Sequence, residues 1–599
     1  MKEAILACRE LLALCWRQSA GKLVASVVLK LGAAAALPLS AAGLGALTDA
    51  ALAGDSSRAA IAGAVTACLV IAAITMAHFA HVFYFELGEV NLLTKERQLI
   101  ELANGSVGLN HHERPEYADK MQVLRQEVER VGYASMEALL SAASTALSLI
   151  ITGVLLARLD LLLLMLPLTA LPAVYLGGRA QALQAAGREA AAEPTRRARH
   201  LFSVATEAGT AKEIRTAGLA NELTFRHRTL FESATRVMWA AEVKAARLRI
   251  LGQLCFAFGY VSAILIVVSA AAAGGPSVGD VILVLSVAAL ANYQVTAAVA
   301  LLQDLQRVAR VLADVRWLEH LIAPLPAAAL PAGERPAAPQ RINHGIRLRD
   351  VSFAYLQTGP PALEGVDILL PAGSTVAVVG ENGAGKSTIV KLLCRFYEPT
   401  EGVIEVDGTD LASLSPPEWR RRIAGAFQDF VRFEFIARES VGVGDLPRVG
   451  SDDAVLGALR RARSESVLNR LEHGLGTQLG KSYADGAELS RGQWQKLALG
   501  RAMMREDPLL LILDEPTADL DAESEHLLFE RYAANARRLA ETSGTITILV
   551  SHRFSTVRMA DLILVVVDGR VADSGSHEEL MERGGLYADL YGLQQRSYQ

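Results

Sequence analysis

The first half of the chain is apolar in long blocks, and the second half alternates in short ones. Six blocks reach the roughly 20 residues needed to cross a hydrocarbon layer. They lie within 23–48, within 59–85, at 138–157, at 161–178, within 250–273 and at 281–303. Lys30 near the start of the first block can snorkel to the interface. Arg158-Leu159-Asp160 makes a tight turn between the third and fourth blocks, and Gly274, Gly275 and Pro276 separate the fifth from the sixth. The connections are unequal. Those at 86–137 and 179–249 are long, keep helical periodicity and hold few breakers, so the membrane helices are predicted to run on well beyond the bilayer before turning. Lys and Arg crowd the second of these, Arg196, Arg197 and Arg199 among them, and are nearly missing from the short connections. The long connections are therefore predicted on the cytoplasmic side.

The pattern changes after Trp317. Pro324, Pro326, Pro331, Pro336 and Pro339 stand among alanines, which is linker composition. From about 345 strand-like and helix-like segments alternate, as in an α/β domain. The expected organisation is an all-α membrane domain over 1–322, a linker over 323–344 and an α/β domain over 345–599.

Candidate chemistry sits in that last domain. TVAVVG (375–380) reads as a buried strand, TIVKLL as the opening of a helix, and between them Gly380, Glu381, Asn382, Gly383, Ala384, Gly385, Lys386, Ser387 and Thr388 fit G-x-x-x-x-G-K-[ST]. Glycines let backbone amides close around phosphate oxygens, and the helix N-terminus adds its positive end. Lys386 is placed to reach the β- and γ-phosphates and Ser387 to ligate Mg²⁺. LLLILDE (509–515) is a buried strand ending in two carboxylates. Asp514 is expected to hold Mg²⁺ and Glu515 to polarise the attacking water. RLRDVSFAY (347–355) is a strand ending in Tyr355, whose ring can stack on a base. IAGAFQDF places Gln428 just past a strand, ELSRGQWQK places Ser490, Arg491, Gly492 and Gln493 at a helix start, and TITILVSHRFS places His552 beyond another strand.

Composition narrows the partners. Net charge is -5 over 599 residues, which argues against nucleic acid, and mean hydropathy is +0.27, high for a soluble ATPase. Cys8, Cys15, Cys68, Cys255 and Cys394 form neither a CxxC nor a metal spacing. The opening twenty residues mix charge with apolar positions and read as an amphipathic helix at the membrane face rather than a cleaved leader. His78 and His81 share a face of the second block, and Asn292 and Gln294 lie within the sixth. These are candidates for a transport path, with plain packing or interhelical hydrogen bonding as the simpler reading.

Together these motifs resemble an ATP-binding cassette transporter whose membrane domain, of exporter type, is fused ahead of its ATPase. LSRGQ (489–493) is similar to that family's LSGGQ signature, with Arg491 a departure at the third position, and EPTADLD (515–521) to its D-loop, with Ala518 in place of the usual serine. The resemblance implies that Gln428 is the Q-loop glutamine, contacting Mg²⁺ and the attacking water, His552 the switch histidine, and Tyr355 the aromatic that stacks on adenine. It implies ATP and Mg²⁺ as cofactors and a half-transporter that pairs with a second copy, or with a different half. Each phosphate loop would then face Ser490 and Gly492 of the other chain, and membrane-domain segments near 113–122 and 209–218 would touch the ATPase. FQDFVRFEF (427–435), TQLGKSYADGAELSRGQWQK (477–496) and KEIR (212–215) look like half-transporters of the nisin-type lantibiotic exporters. That likeness predicts export of a peptide or peptide-like product. A lipid or drug exporter, an importer on the same fold and a membrane-tethered regulatory ATPase are the alternatives.

Overall fold

A computed structural model describes residues 2–597, apart from 107, 323–335, 356–358, 516–521 and 552–556. It divides into two units. The first comprises Met1–Asn104 and Asp119–His320, the second Gly105–Ala118 and Leu321–Gln599. Most of the proline-rich linker lies outside the described residues. The segment Gly105–Ala118, which the sequence places within the membrane domain, groups with the second unit.

The first unit is helical. Its helices Ser56–Gly105 and Ala220–Ala272 hold 50 and 53 residues. At 1.5 Å per residue each is about 75–80 Å long, against about 30 Å of hydrocarbon. The predicted overrun beyond the membrane is thus present as continuous helix. Among the described residues, Arg9–Leu52, Ser56–Gly105, Ser135–Leu159 and Ala220–Ala272 are long and apolar enough to cross a bilayer. The sixth block lies in the helix Val278–Ile322, whose apolar part Val278–Ala291 is shorter.

The fourth block departs from expectation. It is not one helix but a 3₁₀ turn, Leu161–Met165, a short helix, Leu166–Thr169, and then Leu171–Ala190. Pro167 and Pro172 lack the N–H that a continuous helix needs, and Pro172 takes the first turn of the new helix, where none is required. Leu171–Ala190 then packs on Ala220–Ala272 through small residues. A side chain at Gly252 would stand 2.7 Å from the Ala173 Cα, and one at Gly187 would stand 2.5 Å from the Ala241 Cβ. Leading helix and first span meet at Ser19, whose extended backbone (φ -161°, ψ 92°) interrupts the helical run. Leu11 and Cys15 of the leading part pack with Tyr84, Leu87 and Met136. At the other end Asp49 caps the last long helix, accepting from the Ser277 hydroxyl at 2.6 Å and the Gly279 N–H at 2.8 Å.

Of the polar residues proposed for a path, Gln294 is buried, and its amide donates to Ser148 Oγ at 2.5 Å. That is the interhelical bond foreseen as the plain alternative. His81 pairs with the Tyr84 hydroxyl at 2.7 Å, while His78 packs edge-on to Phe79. The Asn292 side chain lies outside the described residues.

In the second unit, strands β1 (Gly345–Phe353), β2 (Leu363–Pro371), β4 (Glu401–Val406) and β5 (Thr409–Asp410) form an antiparallel sheet in the order β2-β1-β4-β5. Strands β3 (Thr375–Val379), β6 (Ile423–Ala426), β7 (Leu510–Asp514), β8 (Ile546–Val550), β9 (Leu562–Val567) and β10 (Arg570–Gly575) form the second sheet, ordered β10-β9-β3-β8-β7-β6. Pairings β3–β8, β3–β9, β7–β8 and β6–β7 are parallel. β7 and β8 are buried along their whole length, which explains their unbroken apolar sequence. Val376, Val378, Ile512, Ile548 and Val550 meet Ile389, Val390 and Trp419 in the main core. A second core around Val441, Leu459, Trp494 and Leu497 joins the helices Asp452–Arg461 and Arg491–Ala502.

Candidate nucleotide site

The parallel sheet sets the site. β3 ends at the phosphate loop and β7 at Asp514, with β8 between them, so both motifs leave the sheet at the same, C-terminal edge. That edge is where ligands bind in open α/β sheets. The loop turn depends on glycine. Gly380 has φ 151°, and a side chain there would lie 2.1 Å from the Val566 carbonyl. Gly385, at φ 108°, is the N-cap of the helix Lys386–Leu393, which therefore points its free amides back into the loop.

Lys386 is 8% exposed and donates to the carbonyls of Gly380 and Glu381, each at 2.8 Å. Burial lowers its pKa, and the nearby carboxylates of Glu515 and Asp514 oppose that shift. Asp514 is 9% exposed. Burial, with the charges of Glu515 and Asp429, pushes its carboxyl up to about 6 against the pull of Lys386. Two further carboxylates crowding a buried one make a pocket that favours an added cation. Gln428 donates its amide N–H to Glu515 Oε2 at 2.8 Å. Glu515 itself sits at φ 48°, left-handed for a non-glycine residue, with its N–H on the Val550 carbonyl. Such backbone costs about 1–3 kcal/mol and holds only where surroundings enforce it. The Tyr355 hydroxyl lies 3.3 Å from Thr388 Oγ1, and the Lys391 ammonium lies 4.8 Å from the Tyr355 ring centroid.

The structure thus brings Lys386, Asp514, Glu515 and Gln428 around one sheet edge, with Tyr355 beside Thr388 and Lys391 of the helix that follows the loop. The signature stretch serves first as a helix cap. Ser490 Oγ accepts from the Gln493 N–H, and Gln493 Oε1 accepts from the Ser490 N–H, a full capping box. Among the described residues no hydrogen bond joins Ser490 or Gly492 to the phosphate loop of the same chain. The Ser490 hydroxyl keeps its own proton to donate elsewhere. His552 and the D-loop, including Ala518, lie outside the described residues. Sequence reading missed two neighbours. Gln495 reaches the Glu515 carbonyl at 3.3 Å, and Asp429 adds charge near Asp514. Asp429 follows Gln428 directly, a signal that could have been used, whereas Gln495 carries no local mark.

The geometry defines an ATPase domain of the ATP-binding cassette type, carried with a helical membrane unit of exporter fold. Residues 363–518 match the family described as ABC transporter. A solved structure of a bacterial Atm1-family ABC exporter with ATP bound shares the fold, with a TM-score of 0.79 over 96% of this chain and 99% of that one, at 23% identity. An ATP-dependent lipid A-core flippase of Alcanivorax borkumensis is 38% identical over 253 residues, 42% of this chain and 41% of that protein. An uncharacterized ABC transporter ATP-binding protein of Bacillus subtilis, YfiC, is 38% identical over 262 residues, 44% of this chain and 41% of its own length. A mitochondrial potassium channel ATP-binding subunit of Xenopus tropicalis is 40% identical over 257 residues, 42% and 36% of the two chains. The match therefore spans less than half the length of each of these relatives.

Proposed function

We propose that the protein is an ATP-driven exporter acting as a homodimer, with its ATPase domain in the cytoplasm and an amphipathic, lipid-like cargo. The observation that carries the engine is the meeting of Lys386, Asp514, Glu515 and Gln428 at one sheet edge. On this reading Lys386 turns from the Gly380 and Glu381 carbonyls to the β- and γ-phosphate oxygens. Glu515, aimed by Gln428, orients water for in-line attack on the γ-phosphorus and takes its proton, while His552 holds the γ-phosphate. The oxygen donors Ser387, Asp514 and Gln428 suit a hard divalent cation such as Mg²⁺, which supplies charge neutralisation of the phosphates. Ser490 and Gly492 of a second copy close each site from the other side, with Arg491 and Gln493 flanking them.

The cargo reading shifts from the peptide suggested by the sequence. Two supports favour a lipid-like molecule. The spans are apolar with few fixed charges, and the flippase relative carries lipid A-core in its name. The peptide reading rests mainly on 427–435 and 477–496 of the ATPase domain, stretches that do not line a membrane path. Reconstituted vesicles with the ATPase domain outward test the order. Lipid analogues and amphipathic drugs are expected to stimulate hydrolysis and to accumulate inside. Transport of a modified peptide with no response to lipid would reverse the assignment, and outward loss of preloaded cargo on adding ATP would make the protein an importer. Hydrolysis with no movement of any cargo would leave a tethered regulatory ATPase.

A further inference from the structure

One cluster beside the phosphate loop is not used by the hydrolysis chemistry. The segment Gly105–Ala118 lies against the end of the helix Lys386–Leu393. The Leu109 N–H donates to the Phe396 carbonyl at 3.0 Å, and a side chain at Gly108 would stand 2.8 Å from the same oxygen. The Tyr397 hydroxyl donates to Glu113 Oε1 at 2.7 Å. Tyr397 is 4% exposed, and its ring meets Tyr355 edge-on, with centroids 5.3 Å apart at 82°. Phe353 touches both rings, at 5.0 Å and 5.3 Å. The Lys391 ammonium stands 4.8 Å and 5.7 Å from the two tyrosine centroids. Contacts in series therefore run from Glu113 through Tyr397 to Tyr355.

We propose that Glu113 and Tyr397 are positioning residues for the Tyr355 ring, so that the segment joining two long membrane helices sets how tightly the adenine base is held. The inference rests on Tyr355 as the base platform. Edge-to-face aromatic contacts are directional, so a Tyr397 ring anchored through its hydroxyl restricts the tilt of Tyr355. Release of the anchor loosens the platform. That release meets the phosphate loop at Thr388, 3.3 Å from the Tyr355 hydroxyl, and leaves Lys386 and the Gly380–Glu381 turn as they are, so the triphosphate is still cradled and the reacting atoms keep their places. The consequence falls on nucleotide affinity and spares turnover at saturation.

Steady-state hydrolysis by the full chain in vesicles tests it, with ATP varied. Tyr397→Phe and Glu113→Ala are each expected to raise the KM for ATP about three- to tenfold, the range of one lost hydrogen bond, with kcat held within about twofold. Combined, they should cost no more than either alone. On a Tyr355→Ala background neither should add a further rise, since partners in one network are not additive. An unchanged KM in Tyr397→Phe overturns the inference, as does a full additional rise on the Tyr355→Ala background. If Tyr355→Ala itself leaves KM unchanged, the base-platform reading falls and the inference with it. If Tyr355→Ala raises KM and Tyr397→Phe does not, the inference alone falls.

Discussion

Glu515 combines a left-handed backbone, a hydrogen bond from Gln428 and a position next to a buried carboxyl. Glu515→Gln keeps the shape and removes the negative charge. ATP binding should persist while turnover falls at least about 100-fold, roughly 2.7 kcal/mol of barrier; hydrolysis and nucleotide occupancy measured in one preparation check this. Lys386→Ala should instead weaken nucleotide engagement itself. Asp407 offers a prediction away from the chemistry. It sits at φ 48° in the Asp407-Gly408 hairpin between β4 and β5, and its carboxylate accepts the N–H groups of Asn343, His344 and Gly345 at 2.8–2.9 Å. Partial burial raises its pKa, yet the three N–H groups outweigh that and hold the carboxyl below its ordinary value. A depressed folded pKa gives stability that is full above the unfolded carboxylate value, near 3.9, and is lost as pH falls through the folded one. Asp407→Ala should therefore lower the melting temperature by roughly a few degrees at pH 7, with the gap to wild type closing in acid.

At the scale of elements, the phosphate loop and its flanking strand and helix were legible because the local sequence dictates them: only glycine fits beside the Val566 carbonyl, and a run of apolar residues is what a two-sided buried strand needs. The break within the fourth membrane block was not legible for an equally local reason. Hydropathy weighs Pro167 and Pro172 as part of an apolar run, while the backbone feels two missing donors. The Glu113–Tyr397 pairing was not legible at all, since it joins positions 284 apart. Asp49 gives an element-scale test. It caps the helix starting at Val278 from another helix, and Asp49→Ala should cost about 1 kcal/mol. Thermal unfolding in detergent should shift down, while Asp55→Ala, in the neighbouring turn but holding only its own helix start, should cost less.

For the whole molecule, the proposed pairing of two chains makes a prediction about stoichiometry. Co-expressed Lys386→Ala and Ser490→Arg chains form mixed dimers. If sites are shared between chains, one site in each mixed dimer is intact and the other doubly damaged, so about half the wild-type hydrolysis should remain. Complete loss would place each site within a single chain. The division of labour between a membrane half and an ATPase half was readable from composition, because bilayer and water select opposite residues. The grouping of Gly105–Ala118 with the ATPase unit was foreseen only in part, by the family resemblance that placed a contact near 113–122, because short polar turns carry no mark of their own of what they rest on. The two longest helices have a further, mechanical consequence. A straight rod of about 75 Å that pivots by only 5° at one end sweeps its far tip through about 6 Å, more than a full helical turn. Small angular changes inside the bilayer thus become displacements of side-chain size at the tips, and stiffness along Ser56–Gly105 and Ala220–Ala272 sets the gearing.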